Sequence, residues 1–338
     1  MLVTQERHLR SFWYPVAFVE DLAEGPLART LLGQELVLWA PAVGEVAAAH
    51  NRCPHRAARL SGGWLEDGCL VCPYHGWQYG ADGRAVTIPQ LQAGLPIPPA
   101  ARLASVQASE RYGVVWVALD APIRPIPDIP AANEAGARSI RQFDELWECA
   151  AARLMDNSFD PAHVAFVHRA SFGNPDAAEV AVPEVERTDD GMVMRTLLEV
   201  ENPEGKRQIT GADTDRTVRD ITTAYHAPFL RVLDQTYPTG IRHTIVMAAV
   251  PVSDASMRLV QWCIRNDSED DVPAADIVAF DRQVTLEDKA LLEATWPDFE
   301  LDVTANVHLK VDRATIELRR LLSEICAGDW ASSSESGT

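Results

Sequence analysis

Two short segments of this 338-residue chain combine side chains that bind metals. Residues 53–56 read Cys-Pro-His-Arg and residues 72–77 read Cys-Pro-Tyr-His-Gly-Trp, so each segment offers one thiolate and one imidazole. The four candidate ligands are Cys53, His55, Cys72 and His75. Two thiolates on one iron and two imidazoles on the other suit a two-iron, two-sulfur cluster. A structural zinc ion is the alternative, although zinc fingers usually pair Cys with Cys and His with His.

A second group of candidate ligands lies in the segment 156–168, which contains Asp160, His163 and His168. Two His and one carboxylate on a single face are the ligands of non-heme ferrous iron, which keeps other coordination positions open. At about 100° per residue, Asp160 and His163 share a helix face, whereas the two His are about 140° apart. A regular helix cannot direct both imidazoles at one metal. The spacing therefore predicts a bend or a π-type turn in this segment.

The carboxylate that completes such a site is expected far along the chain. The pattern from Ala274 to Ala294 predicts a helix with an apolar stripe, and Asp288 falls within that stripe. The neighbouring Glu287 lies on a less apolar face and is expected to meet solvent. A carboxylate on a buried face needs a metal or a cation, so the alternative for Asp288 is an ion pair with a buried Arg.

Taken together, these residues resemble the oxygenase components of Rieske non-heme iron oxygenases over nearly the whole chain. The matches to the cluster motif are Cys53, His55, Cys72 and His75, and those to the catalytic motif are Asn157, Asp160, His163, His168 and Asp288. The chain is most similar to the subgroup that includes vanillate and dicamba O-demethylases and hydroxylases of saxitoxin-type alkaloids. The resemblance implies an α+β chain with an N-terminal Rieske β-sandwich domain. A helix-grip (START-like) catalytic domain follows, with an antiparallel sheet and long C-terminal helices.

The resemblance also implies an activity and its partners. A Rieske monooxygenase uses O2 and NAD(P)H to hydroxylate, or oxidatively O- or N-demethylate, a small cyclic organic substrate. A reductase or ferredoxin passes electrons to the 2Fe-2S cluster, which relays them to mononuclear Fe(II). In a homotrimer, Asp160 would link His163 to a cluster histidine of the neighbouring subunit, His75. The alternative is that Asp160 caps a helix beginning at Pro161.

Three other kinds of protein are alternatives at this point. A cis-dihydroxylating dioxygenase would use the same metal sites, and the sequence does not exclude it. A non-catalytic Rieske electron carrier would not need the roughly 200 residues that follow the cluster domain, on the usual size of a domain. A helix-grip binding protein would not need His163, His168 and Asp288 together.

The elements that position these residues change type along the chain. Short apolar runs before residue 120 predict strands, and a proline-rich stretch beginning at Ala121 predicts an extended linker. The predicted divisions are a Rieske domain at 1–120, a linker at 121–137, a catalytic domain at 138–327 and a disordered tail at 328–338. Within the catalytic domain, alternating patterns predict strands at 192–200, 221–226, 243–252 and 258–264, and helices are predicted at 274–294 and 313–326.

Charge and composition indicate which partners and which cellular compartment are expected. The 30 basic and 49 acidic residues give a net charge of −19, which disfavours nucleic acid and anionic membrane surfaces. The six cysteines are too sparse for a disulfide framework, and the N-terminus lacks a signal-peptide pattern. A cytoplasmic location is expected.

Overall fold

The structure is a computed structural model that describes residues 1–330 except 203, 205 and 206. It divides into two compact units. One contains Arg10–Ile126 and Pro251–Ser253, and we call it the cluster unit; the other contains Met1–Leu9, Pro127–Val250 and the described residues from Asp254 onward, and we call it the sheet unit. The predicted tail at 328–338 lies largely outside the described residues. No described helix has the length and apolar character needed to span a membrane.

The cluster unit is built from ten short strands in two sheets. The strands are β1 (Tyr14–Phe18), β2 (Leu27–Leu31), β3 (Gln34–Trp39), β4 (Ala47–His50), β5 (Trp64–Glu66), β6 (Cys69–Val71), β7 (Gln78–Tyr79), β8 (Ala85–Thr87), β9 (Ser105–Arg111) and β10 (Val114–Ala118). The larger sheet has the order β1-β10-β9-β4-β3-β2, and the smaller has the order β5-β6-β7-β8. Strand β10 is an unbroken apolar run buried along its whole length, as the sequence predicts for a core strand.

The smaller sheet holds the two Cys-containing loops. One loop leads from β4 into β5 and the other joins β6 to β7. Buried residues of both sheets, including Trp39, Leu70 and Tyr79, form one core beneath these loops. The loops therefore stand on a packed base that fixes where their side chains point.

The described residues of the sheet unit form seven strands and five helices. The strands, in the spatial order β11-β17-β16-β15-β14-β13-β12, are β11 (Arg138–Trp147), β12 (Glu184–Thr188), β13 (Gly191–Glu201), β14 (Arg216–His226), β15 (Leu230–Thr236), β16 (Arg242–Pro251) and β17 (Met257–Arg265). The helices are α1 (Ala151–Ser158), α2 (Val164–Val167), α3 (Arg207–Thr210), α4 (Ala274–Leu292) and α5 (Arg313–Ala327). Short 3-10 helices occur at Arg7–Ser11, Val19–Glu24, Leu60–Gly62, Pro130–Asn133, Pro175–Ala177, Val303–Ala305 and Lys310–Asp312 across the two units.

The two long predicted helices are confirmed to within two residues at each end. In α4, Ile277 and Phe280 are buried against Ile140 of β11 and Cys263 of β17, so the apolar stripe packs on the sheet. Helix α5 ends at Ala327 and is followed by Gly328, whose φ of 83° is the left-handed conformation that favours glycine as a C-terminal cap. The α+β class with an antiparallel sheet and C-terminal helices is confirmed.

Two stretches of chain lie near the predicted divisions. The N-terminal residues Met1–Leu9 group with the sheet unit, where the Met1 ammonium donates to the Phe299 carbonyl at 2.7 Å. In the proline-rich stretch, Ile129 is completely buried and residues 130–133 form a 3-10 helix. Proline excludes regular helix and central strand, but it does not stop neighbouring isoleucines from packing into a core.

Candidate metal centres

The two Cys-containing loops share one backbone design. The carbonyl of Cys53 accepts from the N–H of Ala57, and the carbonyl of Cys72 accepts from the N–H of Gly76. Ala57 has a φ of 58° and Gly76 a φ of 69°, so both turns close through a left-handed residue. Each turn therefore holds its Cys and its His on the same side of the loop.

The four predicted cluster residues come together in the cluster unit. Cys53 and Cys72 are each 1% exposed, and burial raises the pKa of the Cys72 thiol, beside which Cys53 lies. The rings of His55 and His75 have centroids 4.5 Å apart. Nδ1 of His55 is buried and has no hydrogen-bond partner among the described residues. Because a buried polar atom is costly unless it is bound, this donor set fits a metal cluster held by two thiolates and two imidazoles.

Two aromatic residues support these ligands. Trp77 stacks on His55 with centroids 4.6 Å apart, and its Nε1 donates to Gln90 at 3.2 Å. The Tyr79 hydroxyl lies 3.2 Å from Sγ of Cys53 in a buried position. Burial together with the neighbouring thiols raises the pKa of Tyr79, so the phenol stays protonated and can donate to the sulfur.

Replacing Tyr79 by Phe is expected to lower the reduction potential of the cluster. A hydrogen bond to a ligand sulfur stabilises the more negative, reduced form, and a bond worth about 1 kcal/mol corresponds to roughly 40–60 mV. Spectroelectrochemical titration of the Tyr79→Phe variant measures the shift. Tyr225→Phe is the matched control, because it removes a buried tyrosine hydroxyl whose hydrogen bond goes to the Pro228 carbonyl and not to a sulfur. An unchanged potential in Tyr79→Phe would show that the phenol does not donate to the cluster ligand.

The predicted break in the segment 156–168 is present. Helix α1 ends at Ser158, and the four-residue helix α2 begins only at Val164. His163 and His168 flank α2 at its two ends, and their Nε2 atoms lie 3.2 Å apart. Because the chain leaves helical geometry between the two helices, the imidazoles converge despite their five-residue spacing.

The carboxylate of Asp288 on α4 lies beside the imidazoles of His163 and His168. Its Oδ1 lies 3.7 Å from Nε2 of His163 and 3.5 Å from Nε2 of His168, and Asn157 donates to it at 3.0 Å. Metal bonds of about 2.1 Å at right angles would hold such atoms about 3.0 Å apart. The three atoms thus form a triangle close in size to one face of a six-coordinate iron site.

The electrostatic setting favours neutral imidazole at this point. The pKa of His168 is lowered to about 4, mainly by burial and also by the nearby His163, Arg219 and Arg231, against the opposing effect of Asp288. A neutral ring has a free nitrogen lone pair, which is the form that binds a metal. His168 therefore presents Nε2 as a donor at neutral pH.

The sequence predicts that Glu287 meets solvent, but its side chain is largely buried in the structure. Its side chain is 15% exposed, and its Oε2 accepts from Nδ1 of His168 at 2.9 Å and from Oγ of Ser171 at 2.8 Å. Burial raises the pKa of Glu287, while the bond from Ser171 opposes that shift. A metal-binding His commonly donates its second N–H to a carboxylate, which fixes the ring. Glu287 and Asp288, which are adjacent on α4, thus lie beside the two ring nitrogens of His168.

Asp160 makes local contacts within the described chain. Its carboxylate accepts from the N–H of Ala162 at 2.8 Å, and Nδ1 of His163 contacts the backbone carbonyl of Asp160. The carboxylate thus closes its own turn, as a helix cap would. Burial raises the pKa of Asp160, while His163 lowers it. The link to a neighbouring subunit's His75 stays a prediction.

A cavity of about 130 Å³ adjoins the triangle, and His163, His168 and Asp288 lie in its wall. Alternate residues of four neighbouring strands point into it, as the period of two requires. These are Met194, Thr196 and Leu198 of β13, Ile221 and Thr223 of β14, Leu233 and Gln235 of β15, and Ile245 and Met247 of β16. The cavity is large enough for a small cyclic molecule and is mainly apolar near these strands.

Comparison with known proteins identifies the class. Residues 12–107 match the Rieske [2Fe-2S] domain, and residues 147–328 match the vanillate O-demethylase oxygenase C-terminal domain. The chain belongs to the Rieske non-heme iron oxygenase family, as an oxygenase component. It carries a Rieske cluster and a mononuclear iron, and it is a monooxygenase.

Individual relatives make the likeness more specific. The chain is 30% identical to methylxanthine N1-demethylase NdmA of Pseudomonas putida, over 96% of this chain and 91% of that protein. It is 36% identical to the oxygenase component of dicamba O-demethylase of Stenotrophomonas maltophilia, over 48% of each. The solved structure of NdmA aligns with a TM-score of 0.82 at 28% identity, covering 98% of this chain and 96% of that one.

Proposed function

We propose that two sets of residues hold the metals of this oxygenase. The cluster ligands are Cys53, His55, Cys72 and His75, and the ligands of ferrous iron are His163, His168 and Asp288. The triangle formed by two Nε2 atoms and one carboxylate oxygen at the wall of a cavity carries this assignment. When bound, the cluster supplies single electrons and the ferrous iron supplies oxygen activation.

The chain's own residues then orient the ligands. Asn157 donates to Asp288 and fixes the carboxylate, and Glu287 accepts from His168 and fixes the imidazole. Phe172 stacks on His168 with centroids 5.1 Å apart and covers one face of that ring. The donor atoms are thereby held in place before substrate arrives, which lowers the cost of assembling the site.

The reaction we propose is oxidative N- or O-demethylation, or hydroxylation, of a small cyclic substrate. One atom of O2 enters a C–H bond, and the other leaves as water with two electrons and two protons from the donor. When the hydroxylated carbon is a methyl group on nitrogen or oxygen, the bond between this carbon and the nitrogen or oxygen then breaks and formaldehyde is released. The N-demethylase and O-demethylase relatives support this choice over ring dihydroxylation.

The partners and the assembly are also part of the proposal. We infer a reductase or ferredoxin as electron donor, and a homotrimer in which Asp160 meets the neighbouring His75. His75 is half-buried, and the adjacent Tyr74 is 63% exposed, so this corner of the cluster unit is open to a second chain. Dependence on NAD(P)H supports a cytoplasmic location. The predicted domains, 1–120 and 138–327, contain these two sets of ligands.

A turnover assay tests the reaction. The holoenzyme with a surrogate reductase is expected to consume NADH and O2 and to release formaldehyde with at least one member of a panel. The panel contains methoxy-aromatics, N-methyl heterocycles and their unmethylated counterparts, which serve as matched controls. A cis-diol product from an unmethylated ring, with no formaldehyde from any methylated compound, would favour the dioxygenase alternative.

A further inference from the structure

Two arginines in the cavity wall have no carboxylate partner among the described residues. Arg219 on β14 and Arg231 on β15 both point inward and line the cavity. Arg219 is 7% exposed, and Nε of each guanidinium is buried without a hydrogen-bond partner in the described part of the chain. A buried cation without a partner is costly, so these positions are exceptional.

The other deeply buried arginines of the sheet unit show the usual arrangement. Arg265 is 1% exposed and pairs with Asp267, and Arg319 is 5% exposed and pairs with Asp156 at 2.9 Å. Arg265 and Arg319 are thus each neutralised by a carboxylate of the same unit. Neither arginine of the cavity forms an ion pair with a carboxylate of the described residues.

The neighbours of Arg219 do not use its donors. Its guanidinium lies 4.1 Å from the ring centre of Phe172, which in turn stacks on His168. A contact with an aromatic face stabilises the charge but leaves the N–H groups free to donate. Arg219 therefore stands beside the mononuclear metal site with its donors available.

The carboxylates of the cavity are engaged elsewhere. Oδ2 of Asp281 lies 3.1 Å from Nε2 of His243 and accepts from Gln142. Asp288 belongs to the metal triangle and Asp160 closes its own turn. Burial lowers the pKa of Arg231 to about 10, while Asp288 and Asp281 raise it, so the side chain remains charged at neutral pH. Arg219 and Arg231 thus place two cations in the cavity wall, and no described carboxylate of the cavity accepts a hydrogen bond from them.

We propose that Arg219 and Arg231 form an anion-binding subsite that takes a carboxylate group of the substrate. Guanidinium groups bind carboxylates through parallel N–H donors, and an apolar surrounding strengthens that bond. The apolar residues Leu198, Ile221, Leu233 and Ile245 line the same cavity and suit the ring of the molecule. The substrate class is then a small cyclic or aromatic acid bearing the oxidised methyl or C–H group. This inference rests on the proposed function, because it places the ligand in the same cavity.

Binding without turnover tests the subsite. The probes are benzoate and its neutral counterpart benzamide, titrated calorimetrically into protein that keeps its cluster but has been depleted of mononuclear iron. Without that iron, direct coordination of the carboxylate cannot produce the signal. Benzoate is expected to bind at least about tenfold more tightly than benzamide.

The variants remove one charge at a time. Arg219→Gln and Arg231→Gln are each expected to weaken benzoate binding about tenfold and to leave benzamide unchanged. Arg219→Lys keeps the charge and is expected to retain part of the preference. Arg313→Gln, at an exposed position on α5, is the matched control and should bind benzoate as the wild type does. The cluster spectrum confirms that each variant is folded.

Three results would overturn the subsite: no benzoate binding to the wild type, equal affinity for benzoate and benzamide, or an unchanged benzoate affinity when both arginines are replaced by Gln. These outcomes are separate from failure of the proposed function. A subsite that binds benzoate in a protein that oxidises no panel compound would keep the anion site and remove the demethylase activity.

Discussion

Replacing any one of His163, His168 and Asp288 by Ala is expected to remove the mononuclear iron and abolish turnover, while the visible spectrum of the cluster is unchanged. In the proposed site, each residue supplies one of three donor atoms separated by 3.2 to 3.7 Å, and two remaining donors do not hold ferrous iron firmly. The cluster ligands lie in the other unit, so their spectrum should not respond. Metal analysis and optical spectra of the purified variants measure both effects.

Glu287→Ala distinguishes a ligand from a residue that orients one. Because Glu287 accepts from Nδ1 of His168, its loss is expected to weaken iron binding by about 10- to 100-fold without emptying a saturated site. Glu293→Ala, at the residue that follows α4, is the matched control. If Glu287→Ala empties the site and Asp288→Ala retains iron, the assignment of the carboxylate ligand is wrong.

Asp160→Asn is expected to slow oxidation of the reduced cluster by O2 and substrate about a hundredfold, with both metals present and the fold intact. Asparagine can still accept from the N–H of Ala162, so the turn at Pro161 survives. It cannot serve as a charged link between two imidazole N–H groups of neighbouring subunits. Stopped-flow absorption in a single turnover measures the rate.

The contacts of Asp160 within its own chain offer an explanation for its position that needs no second subunit. In a single chain, its carboxylate is already bound to Ala162, and the carbonyl of Asp160 contacts His163. Asp156→Asn, one turn earlier on α1, is a comparison that disturbs a pair with Arg319 and not the predicted link. Wild-type rates in Asp160→Asn would leave Asp160 as a cap of its own turn and remove it from electron transfer.

The sequence predicted the cluster loops well because their information is local. Residue types at fixed short spacing define the two turns, and Gly76 supplies the left-handed conformation that closes one of them. The position of Asp288 on the buried face of α4 also followed from helical period. The environment of Glu287 did not, because it depends on α2 and Ser171 packing against that side of α4.

Strand β15 was missed for a physical reason connected with function. Its inward residues are Arg231, Leu233 and Gln235, so the apolar alternation that marks a half-buried strand is broken where polar groups face the cavity. Strand β11 is similar, since Gln142 points inward and bonds with Asp281 and Gln261. The residues that shape a ligand site are those that depart from the pattern used to find strands.

The assignment of the mononuclear iron is tested most directly by nitric oxide, which binds ferrous iron where O2 would bind. With the cluster oxidised and silent, the wild-type protein is expected to show the electron paramagnetic resonance signal of a high-spin ferrous nitrosyl, at roughly one iron per chain. The Asp288→Ala variant should lose that signal and keep the cluster signal after reduction. A wild-type protein whose iron is all accounted for by the cluster, or an Asp288→Ala variant with an undiminished nitrosyl signal, would contradict the assignment.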